Sequence, residues 1–264
     1  MLRDVTAHPM FDVAGATALV TGSSRGIGLA LARGLLTAGV SVVLNGRDTG
    51  RLAAAHAALE PVAAAHGGRV YAVPFDVTDP RAVRQGVADI EETVGPLDIL
   101  VNNTGTQHRA PFTEFADDDW YRLLATNVTG AFLVGREVAR RMVDRRAGKI
   151  VNVCSLQSEV ARPGIAAYSA TKGAVKMLTK GMSADLAPSG INVNAIGPGY
   201  FATELTAALV ADETFSAWVR GRTPAGRWGD VDDLVGGLLF LVSPASRFVH
   251  GHILYIDGGM LAVL

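Results

Sequence analysis

The chain has 264 residues, with 24 Lys and Arg against 25 Asp and Glu, so its formal net charge is −1. This balance argues against a nucleic-acid-coating protein, which is usually strongly basic, and 49% apolar residues exclude a disordered chain. Charged residues are only 19% of the chain, below the roughly 25% of average domains. We therefore expect part of the surface to be hidden in a homo-oligomer.

Apolar strand-like runs alternate with segments of helical periodicity in chain order. The predicted strands are 16–21, 41–45, 69–75, 98–102, 149–154, 191–196 and 252–256. The predicted helices are 26–38, 51–65, 81–94, 117–146, 167–186, 203–220 and 231–241. Strict alternation of this kind predicts an α/β fold: a Rossmann-type doubly wound parallel sheet of about seven strands with helices on both faces.

The domain and compartment predictions depend on three features: the lack of a linker, the number of cysteines and the length of the longest apolar stretch. No repeat or linker divides the chain, so residues 1–264 are predicted to form a single domain, with 1–13 as an N-terminal extension. The single Cys154 excludes an internal disulfide and is typical of a reducing compartment. The longest apolar stretch, 238–242, is far shorter than the roughly 20 residues of a membrane span. We expect a cytoplasmic protein that binds no membrane.

A glycine-rich turn follows the first predicted strand, with the sequence TGSSRGIG over residues 21–28. A tight turn between a strand and a helix brings backbone N–H groups and a helix N-terminus up to a pyrophosphate. The alternative is a β–α turn that is merely rich in glycine. Its position between a strand and a helix favours the nucleotide-binding interpretation.

The TGxxxGxG pattern resembles the cofactor turn of the short-chain dehydrogenase/reductase family. Further motifs of that family follow in order, and the resemblance runs from about residue 14 to the last residue: NNTG at 102–105, Asn127, Ser155, Tyr168 with Lys172, and Pro198-Gly199. One departure is Thr104, where most members have Ala. The larger side chain could press on the adenosine half of the cofactor.

The resemblance implies a nicotinamide dinucleotide site at the carboxyl edge of the sheet. The residues predicted to bind the cofactor are Gly22, Ser24, Arg25, Gly26, Ile27, Gly28, Asn45, Arg47, Asp76, Val77, Asn103, Thr104, Gly105, Tyr168, Lys172, Pro198, Gly199, Phe201 and Thr203.

Tyr168 and Lys172 are four residues apart, so they share one face of a predicted helix. Reduction of a ketone needs a hydride donor, an acid for the developing alkoxide and a group that orients the oxygen. A nearby ammonium favours a phenolate, and Lys172 can supply that charge. An isolated pair with this spacing would more often be an exposed helix face.

The family resemblance assigns a role to each of the four catalytic candidates. Tyr168 is the acid/base, and Ser155 holds the reacting oxygen. Lys172 also binds the nicotinamide ribose, and Asn127 holds a water that links Lys172 to solvent.

The coenzyme is predicted from the end of the second strand. NAD-specific folds place an acid there for the ribose 2′-hydroxyl, but this chain has Asn45 followed by Arg47. Arg47 would attract a 2′-phosphate, and Arg25 could approach from the other side. Asp48 is explained as a helix N-cap, and a solvated loop residue is the alternative for Arg47. These charges favour NADP(H) over NAD(H).

Other chemistries find little support in the sequence. The six histidines form no metal-ligand spacing with Cys or a carboxylate, so no metal site is predicted. There is no Gly-x-Ser-x-Gly elbow, which makes an α/β-hydrolase a poor fit. Cys154 falls in a predicted buried strand and is interpreted as an inert core thiol.

Several local stretches, including TQHRAP at 106–111 and TPAGRWG at 223–229, resemble family members that act on small polyhydroxy acids. The predicted substrate-binding residues are Arg109, Ser155, Gln157 and Tyr168. Arg109 would bind the substrate carboxylate, with His108 and Arg162 as competing candidates.

Another reductase of the same fold and a non-catalytic dinucleotide sensor remain alternatives. The resemblance also implies a homotetramer, with helices 117–146 and 167–186 between subunits; solvated helix faces are the alternative.

Overall fold

Seven parallel strands form one sheet in the computed structural model, which describes residues 8–264. The strands are β1 Thr17–Val20, β2 Ser41–Leu44, β3 Val70–Ala72, β4 Ile99–Asn102, β5 Gly148–Val153, β6 Ile191–Pro198 and β7 Ile253–Ile256. Their order across the sheet is β3-β2-β1-β4-β5-β6-β7, which confirms the predicted doubly wound parallel sheet. Residues 1–7, about half of the predicted N-terminal extension, lie outside the described residues.

Helices cover both faces of this sheet. They are α1 Gly26–Thr37, α2 Thr49–His66, α3 Pro80–Thr93, α4 Asp117–Leu124, α5 Gly130–Arg145, α6 Ala166–Leu186, α7 Ala207–Ala211, α8 Glu213–Arg222 and α9 Val235–Val242. One core cluster packs α1, α2 and α9 against the sheet, through side chains such as Leu31, Leu52 and Leu238. The opposite cluster packs α3 and α5, through Val87 and Met142. Burial on both faces explains why the strands are almost wholly apolar.

The strand order places a crevice at the centre of the sheet. β1 pairs with β2 on one side and with β4 on the other, so Val20 lies between Leu44 and Val101. From β1 the chain continues outward to β2 and β3 on one side of the sheet, and from β4 it continues outward to β5, β6 and β7 on the other side. The loops that follow β1 and β4 therefore lead away from each other. Ligands of open α/β sheets bind in such a crevice.

Two predicted elements differ from the structure for local reasons. The predicted strand 69–75 ends at Ala72, and Pro74, which has no backbone N–H for a ladder, follows it. The predicted helix 203–220 is wrong as one element, because it consists of a 3₁₀ turn, α7 and α8. Asp212 divides it, since its carboxylate accepts a hydrogen bond from Phe215 N and begins α8.

The predicted helix 117–146 contains a turn of π-helix over Ala125–Thr129, between α4 and α5. Such turns are rare and frequently occur at functional sites. Here the extra residue turns Asn127 into the protein, where it is buried.

Within residues 8–264, no helix combines the length and the apolar character that crossing a membrane requires.

Candidate active site

A cleft of about 720 Å³ runs along the carboxyl edge of the sheet, from the glycine-rich turn after β1 to the segment after β6. Every residue predicted to bind cofactor or substrate lines it, and so do Ser155, Tyr168 and Lys172. Of the predicted site residues, Asn127 alone lies behind the cleft wall. The structure therefore brings together segments that are up to about 180 residues apart in the chain.

The glycine-rich turn is packed too closely for other side chains. Gly22 and Gly26 have φ values of 62° and 56°, in the left-handed region that favours glycine. A Cβ on Gly28 would lie 2.4 Å from both Gly22 O and Asn103 Nδ2. The Asn103 amide in turn donates to Thr21 O and Gly22 O, at 2.9 and 3.0 Å. Asn103 thus fixes the turn against the end of β4.

The N-terminus of α1 is open toward the cleft. Its N-cap is Arg25, and no side chain of residues 8–264 caps it. The first N–H groups of a helix have no partners within the helix, and they favour an anion through the helix dipole. This arrangement fits the pyrophosphate of a dinucleotide.

Thr104 lines the cleft and also packs on the glycine turn. Its backbone N–H donates to Thr21 Oγ1 at 3.1 Å. Its own hydroxyl oxygen is buried and has no partner among the described residues. A Cβ on Gly22 would meet that oxygen at 3.0 Å. Thr104 therefore contacts the glycine turn, and its expected effect on the adenosine half of the cofactor stays a prediction.

Three arginines at the β1–β2 end of the cleft are paired with carboxylates. Arg47 lies 3.2 Å from Asp76, and Arg25 lies 3.1 Å from Glu204. Arg51 lies 3.3 Å from Asp48, which also accepts a hydrogen bond from Arg51 N as the N-cap of α2. The cap interpretation of Asp48 is confirmed.

Asp76 carries a stable negative charge. Partial burial opposes ionisation, but hydrogen bonds from the backbone and hydroxyl of Thr78, together with Arg47, hold the pKa of Asp76 below its usual value. Asn45, in contrast, is buried and ties β2 to the segment after β3: its amide donates to Val73 O and Phe75 O, at 3.1 and 3.2 Å.

The catalytic candidates lie where β5 and α6 meet. Lys172 is buried, and its ammonium donates to Val153 O at 2.7 Å. The same nitrogen lies 5.8 Å from the centre of the Tyr168 ring. The Ser155 hydroxyl donates to Gln157 Oε1 at 2.5 Å. The spacing predicted from the sequence therefore places a phenol, a hydroxyl and an ammonium together.

Asn127 connects the π-turn to two walls of the site. Its Oδ1 accepts a hydrogen bond from Thr106 N at 2.8 Å. Its Nδ2 donates to Thr106 O and to Thr171 Oγ1, at 2.9 and 3.0 Å. These bonds join the loop after β4 to α6, next to Lys172.

The β5–β6 end of the cleft carries two further arginines. Arg109 donates to Gln107 Oε1 at 2.9 Å. Arg162 donates from Nε to the Tyr200 hydroxyl at 3.1 Å, and its guanidinium lies 5.2 Å from the centre of the Phe215 ring. Gln157 Nε2 also donates to the Tyr200 hydroxyl, at 3.5 Å. Tyr200 was not among the predicted site residues, although it directly follows the Pro198-Gly199 motif.

Cys154 and His108 are two further side chains near the cleft that could carry reactive chemistry. Cys154 is buried, and this burial raises the pKa of its thiol, as expected of an inert core cysteine. His108 lies 3.2 Å from Asp119. No group of three or more His, Cys, Asp or Glu side chains in residues 8–264 could hold a metal ion.

The fold and this constellation define a class of protein. The family profile described as short chain dehydrogenase matches residues 16–214, and the chain belongs to that family. It is thus an NAD(P)-dependent oxidoreductase that acts on a CH–OH donor.

Particular members resemble the chain over nearly its full length. The gluconate 5-dehydrogenase of Gluconobacter oxydans (strain 621H) is 56% identical over 98% of this chain and 100% of its own. The 5-keto-D-gluconate 5-reductase of Escherichia coli (strain K12) is 49% identical over 97% of this chain and 100% of its own. A crystal structure of gluconate 5-dehydrogenase from Burkholderia cenocepacia J2315, in complex with NADP and tartrate, aligns with a TM-score of 0.92. It is 50% identical and covers 97% of this chain and 99% of that one.

Proposed function

We propose that the protein interconverts D-gluconate and 5-dehydro-D-gluconate with NADP(H). The observation that carries this proposal is the composition of the cleft. Tyr168, Ser155 and Lys172 share it with Arg109, which could receive a sugar-acid carboxylate, and with a second arginine, Arg162. The names of the relatives that are 49–56% identical support the same reaction.

The coenzyme would extend from the glycine turn to Lys172. The open N-terminus of α1 would hold the pyrophosphate, and Arg47 and Arg25 would receive the 2′-phosphate. NADPH supplies the hydride when it is bound. The NADP in the related Burkholderia structure supports this coenzyme, as does the absence of an acid at Asn45.

The chain's own residues would handle the proton and the substrate oxygen. Ser155 would exchange Gln157 Oε1 for the substrate carbonyl oxygen and donate a hydrogen bond to it, keeping its own proton. Tyr168 would give its proton to the same oxygen as negative charge develops there. The Lys172 ammonium, held by Val153 O, would stabilise the resulting phenolate. A water near Asn127 would return the proton from solvent.

The decisive test is NADPH oxidation by the purified protein with 5-ketogluconate. We expect saturable turnover with this ketone and none with a 3-oxoacyl thioester. Turnover only with a 2-deoxy or 3-deoxy sugar acid would assign the protein to a neighbouring activity, such as 2-deoxygluconate dehydrogenase. Tight NADPH binding with no turnover of any ketone would favour a sensor.

The assembly and compartment belong to the same proposal. We infer a cytoplasmic homotetramer in which α4, α5 and α6 pack between subunits. Large apolar side chains on these helices support this assembly, because Tyr121, Phe132 and Met177 are 66%, 42% and 60% exposed.

A further inference from the structure

The charges that line the cleft are distributed unevenly between its two ends. The carboxylates that line it among residues 8–264 are Asp48, Asp76 and Glu204. Asp48 and Asp76 lie at the β1–β2 end, whereas Glu204 lies in the segment after β6 and pairs with Arg25 of the glycine turn. Each of the three carboxylates is paired with an arginine. The nucleotide end therefore contains its own counter-charges.

The β5–β6 end has two guanidinium groups and no such compensation. Neither Arg109 nor Arg162 forms a salt bridge with any carboxylate in residues 8–264. Partial burial and the nearby charge of Arg162 lower the pKa of Arg109 below its usual value. Both guanidinium groups line the same cleft, so two positive charges face it without a counter-charge.

Arg162 is held in place by groups that do not neutralise it. Its Nε donates to the Tyr200 hydroxyl, its Nη1 donates to Pro163 O at 3.4 Å, and its plane lies over Phe215. The terminal nitrogens retain N–H groups for a ligand, and a planar guanidinium matches a carboxylate with two parallel hydrogen bonds. A fixed, uncompensated guanidinium on a cleft wall is an anion-binding group.

We propose that Arg162 is a second anion-binding residue and that the cleft binds dicarboxylic sugar acids, with one carboxylate on Arg109 and the other on Arg162. This inference rests on the proposed sugar-acid function of the same cleft. A monocarboxylate such as gluconate would neutralise one guanidinium and leave the other without a counter-charge. A second carboxylate at the far end of the same carbon chain would neutralise both.

D-Glucarate and D-gluconate form a matched pair for the test, because they differ only in a carboxylate at the sixth carbon. Calorimetric titration of each into the NADPH-loaded protein measures binding without turnover, since NADPH cannot accept a hydride. We expect glucarate to bind about tenfold more tightly, the difference that one added charge-assisted contact gives. Added salt should reduce this preference.

Substitutions of the two arginines distinguish a role in binding the ligand from a role in holding the local structure in place. Arg162→Gln should remove the preference for glucarate and leave gluconate affinity nearly unchanged, whereas Arg109→Gln should weaken both ligands. Arg162→Lys keeps the charge without the Tyr200 contact and should retain part of the preference. Arg84→Gln, an exposed arginine on α3 outside the cleft, is the matched control and should change nothing. NADPH affinity checks that each variant is folded.

Three results would overturn the proposal: equal affinities in the wild-type protein, equal losses for both ligands in Arg162→Gln, or no binding of either acid. Tighter binding of 6-phosphogluconate than of glucarate would contradict the dicarboxylate proposal and indicate that the cleft prefers a phosphorylated sugar acid. NADPH oxidation with 5-ketogluconate, measured on the same preparation, keeps the two proposals separate. Turnover without a glucarate preference contradicts only the dicarboxylate site, and a preference without turnover contradicts only the proposed reaction.

Discussion

Tyr168 and Lys172 lie one helical turn apart on α6, and the ammonium of Lys172 is fixed by Val153 O. Tyr168→Phe keeps the ring and removes the only proton that this side chain can donate. We expect kcat to fall by about 10²–10⁴, with NADPH affinity unchanged, in steady-state kinetics and fluorescence titration. Tyr71→Phe, on β3 and outside the cleft, is the matched control. Near-normal turnover of Tyr168→Phe would refute the acid/base assignment.

Arg47 has a 75% exposed side chain that pairs with Asp76 and lines the nucleotide end of the cleft. Arg47→Ala should weaken NADPH by about 1.5–3 kcal/mol, the range of a charge-assisted hydrogen bond. NADH affinity should change little, since NADH has no 2′-phosphate. Arg33→Ala removes an arginine that is ion-paired with Asp232 outside the cleft, and should affect neither coenzyme. Equal losses for NADPH and NADH would make Arg47 a structural residue.

The residues of the site were predictable to the extent that a local motif carries them. The glycine turn, Ser155, Tyr168 and Lys172 belong to short patterns, and all of them line the cleft. The partnership of Arg162 with Tyr200 was not predictable, because the two residues are 38 positions apart and meet only through the fold. The pairing of Arg25 with Glu204, 179 positions away, was hidden for the same reason.

At the scale of elements, the contact between α1 and the glycine turn gives a sharp prediction. Gly28→Ala would place a Cβ 2.4 Å from Gly22 O and Asn103 Nδ2, so the free energy of unfolding should fall by about 1–3 kcal/mol. Gly221→Ala, in α8 with no atom within 4 Å of the new Cβ, is the control and should gain about 0.4–1 kcal/mol. Urea denaturation measures both. A Gly28→Ala protein as stable as the wild type would contradict this close packing.

The periodicity of apolar residues predicted where strands and helices lie, but it did not predict the irregular turns and breaks within the helical segments. The apolar runs identified all seven strands, because strands covered on both faces are built mostly from apolar residues. The π-turn at Ala125–Thr129 leaves no mark in the apolar pattern, since helical periodicity continues on both sides of it. Asp212 was a usable signal for the break between α7 and α8, because Asp favours N-cap positions.

Binding of the coenzyme to the folded state should stabilise the whole molecule against thermal unfolding. A ligand at about 100 times its Kd stabilises the folded state by about 2.7 kcal/mol, which corresponds to roughly 5–10 °C in Tm for a chain of this size. We expect NADPH to raise Tm by this amount in differential scanning fluorimetry, and NADH at the same concentration to raise it less. An equal or larger shift with NADH would contradict the proposed NADP preference.

The proposed homotetramer can be tested by measuring the molar mass of the assembly in solution. Light scattering after gel filtration should give about four times the 27.6 kDa of one chain if α4, α5 and α6 pack between subunits. Met177→Glu places a charge on the exposed face of α6 and should lower that mass. A wild-type mass of a single chain would show that Tyr121, Phe132 and Met177 face solvent.

The strand order also constrains how a nascent chain can fold. β1 pairs with β4, whose partner residues lie 81 positions later, since Ala18 lies beside Ile99. The centre of the sheet therefore cannot close until almost 100 residues have left the ribosome. β6, which is buried along its whole length, keeps an unpaired edge until β7 has been synthesised. During that interval its exposed N–H and C=O groups could pair with another chain, so slow translation from residue 198 to residue 256 would lengthen the exposure of this edge.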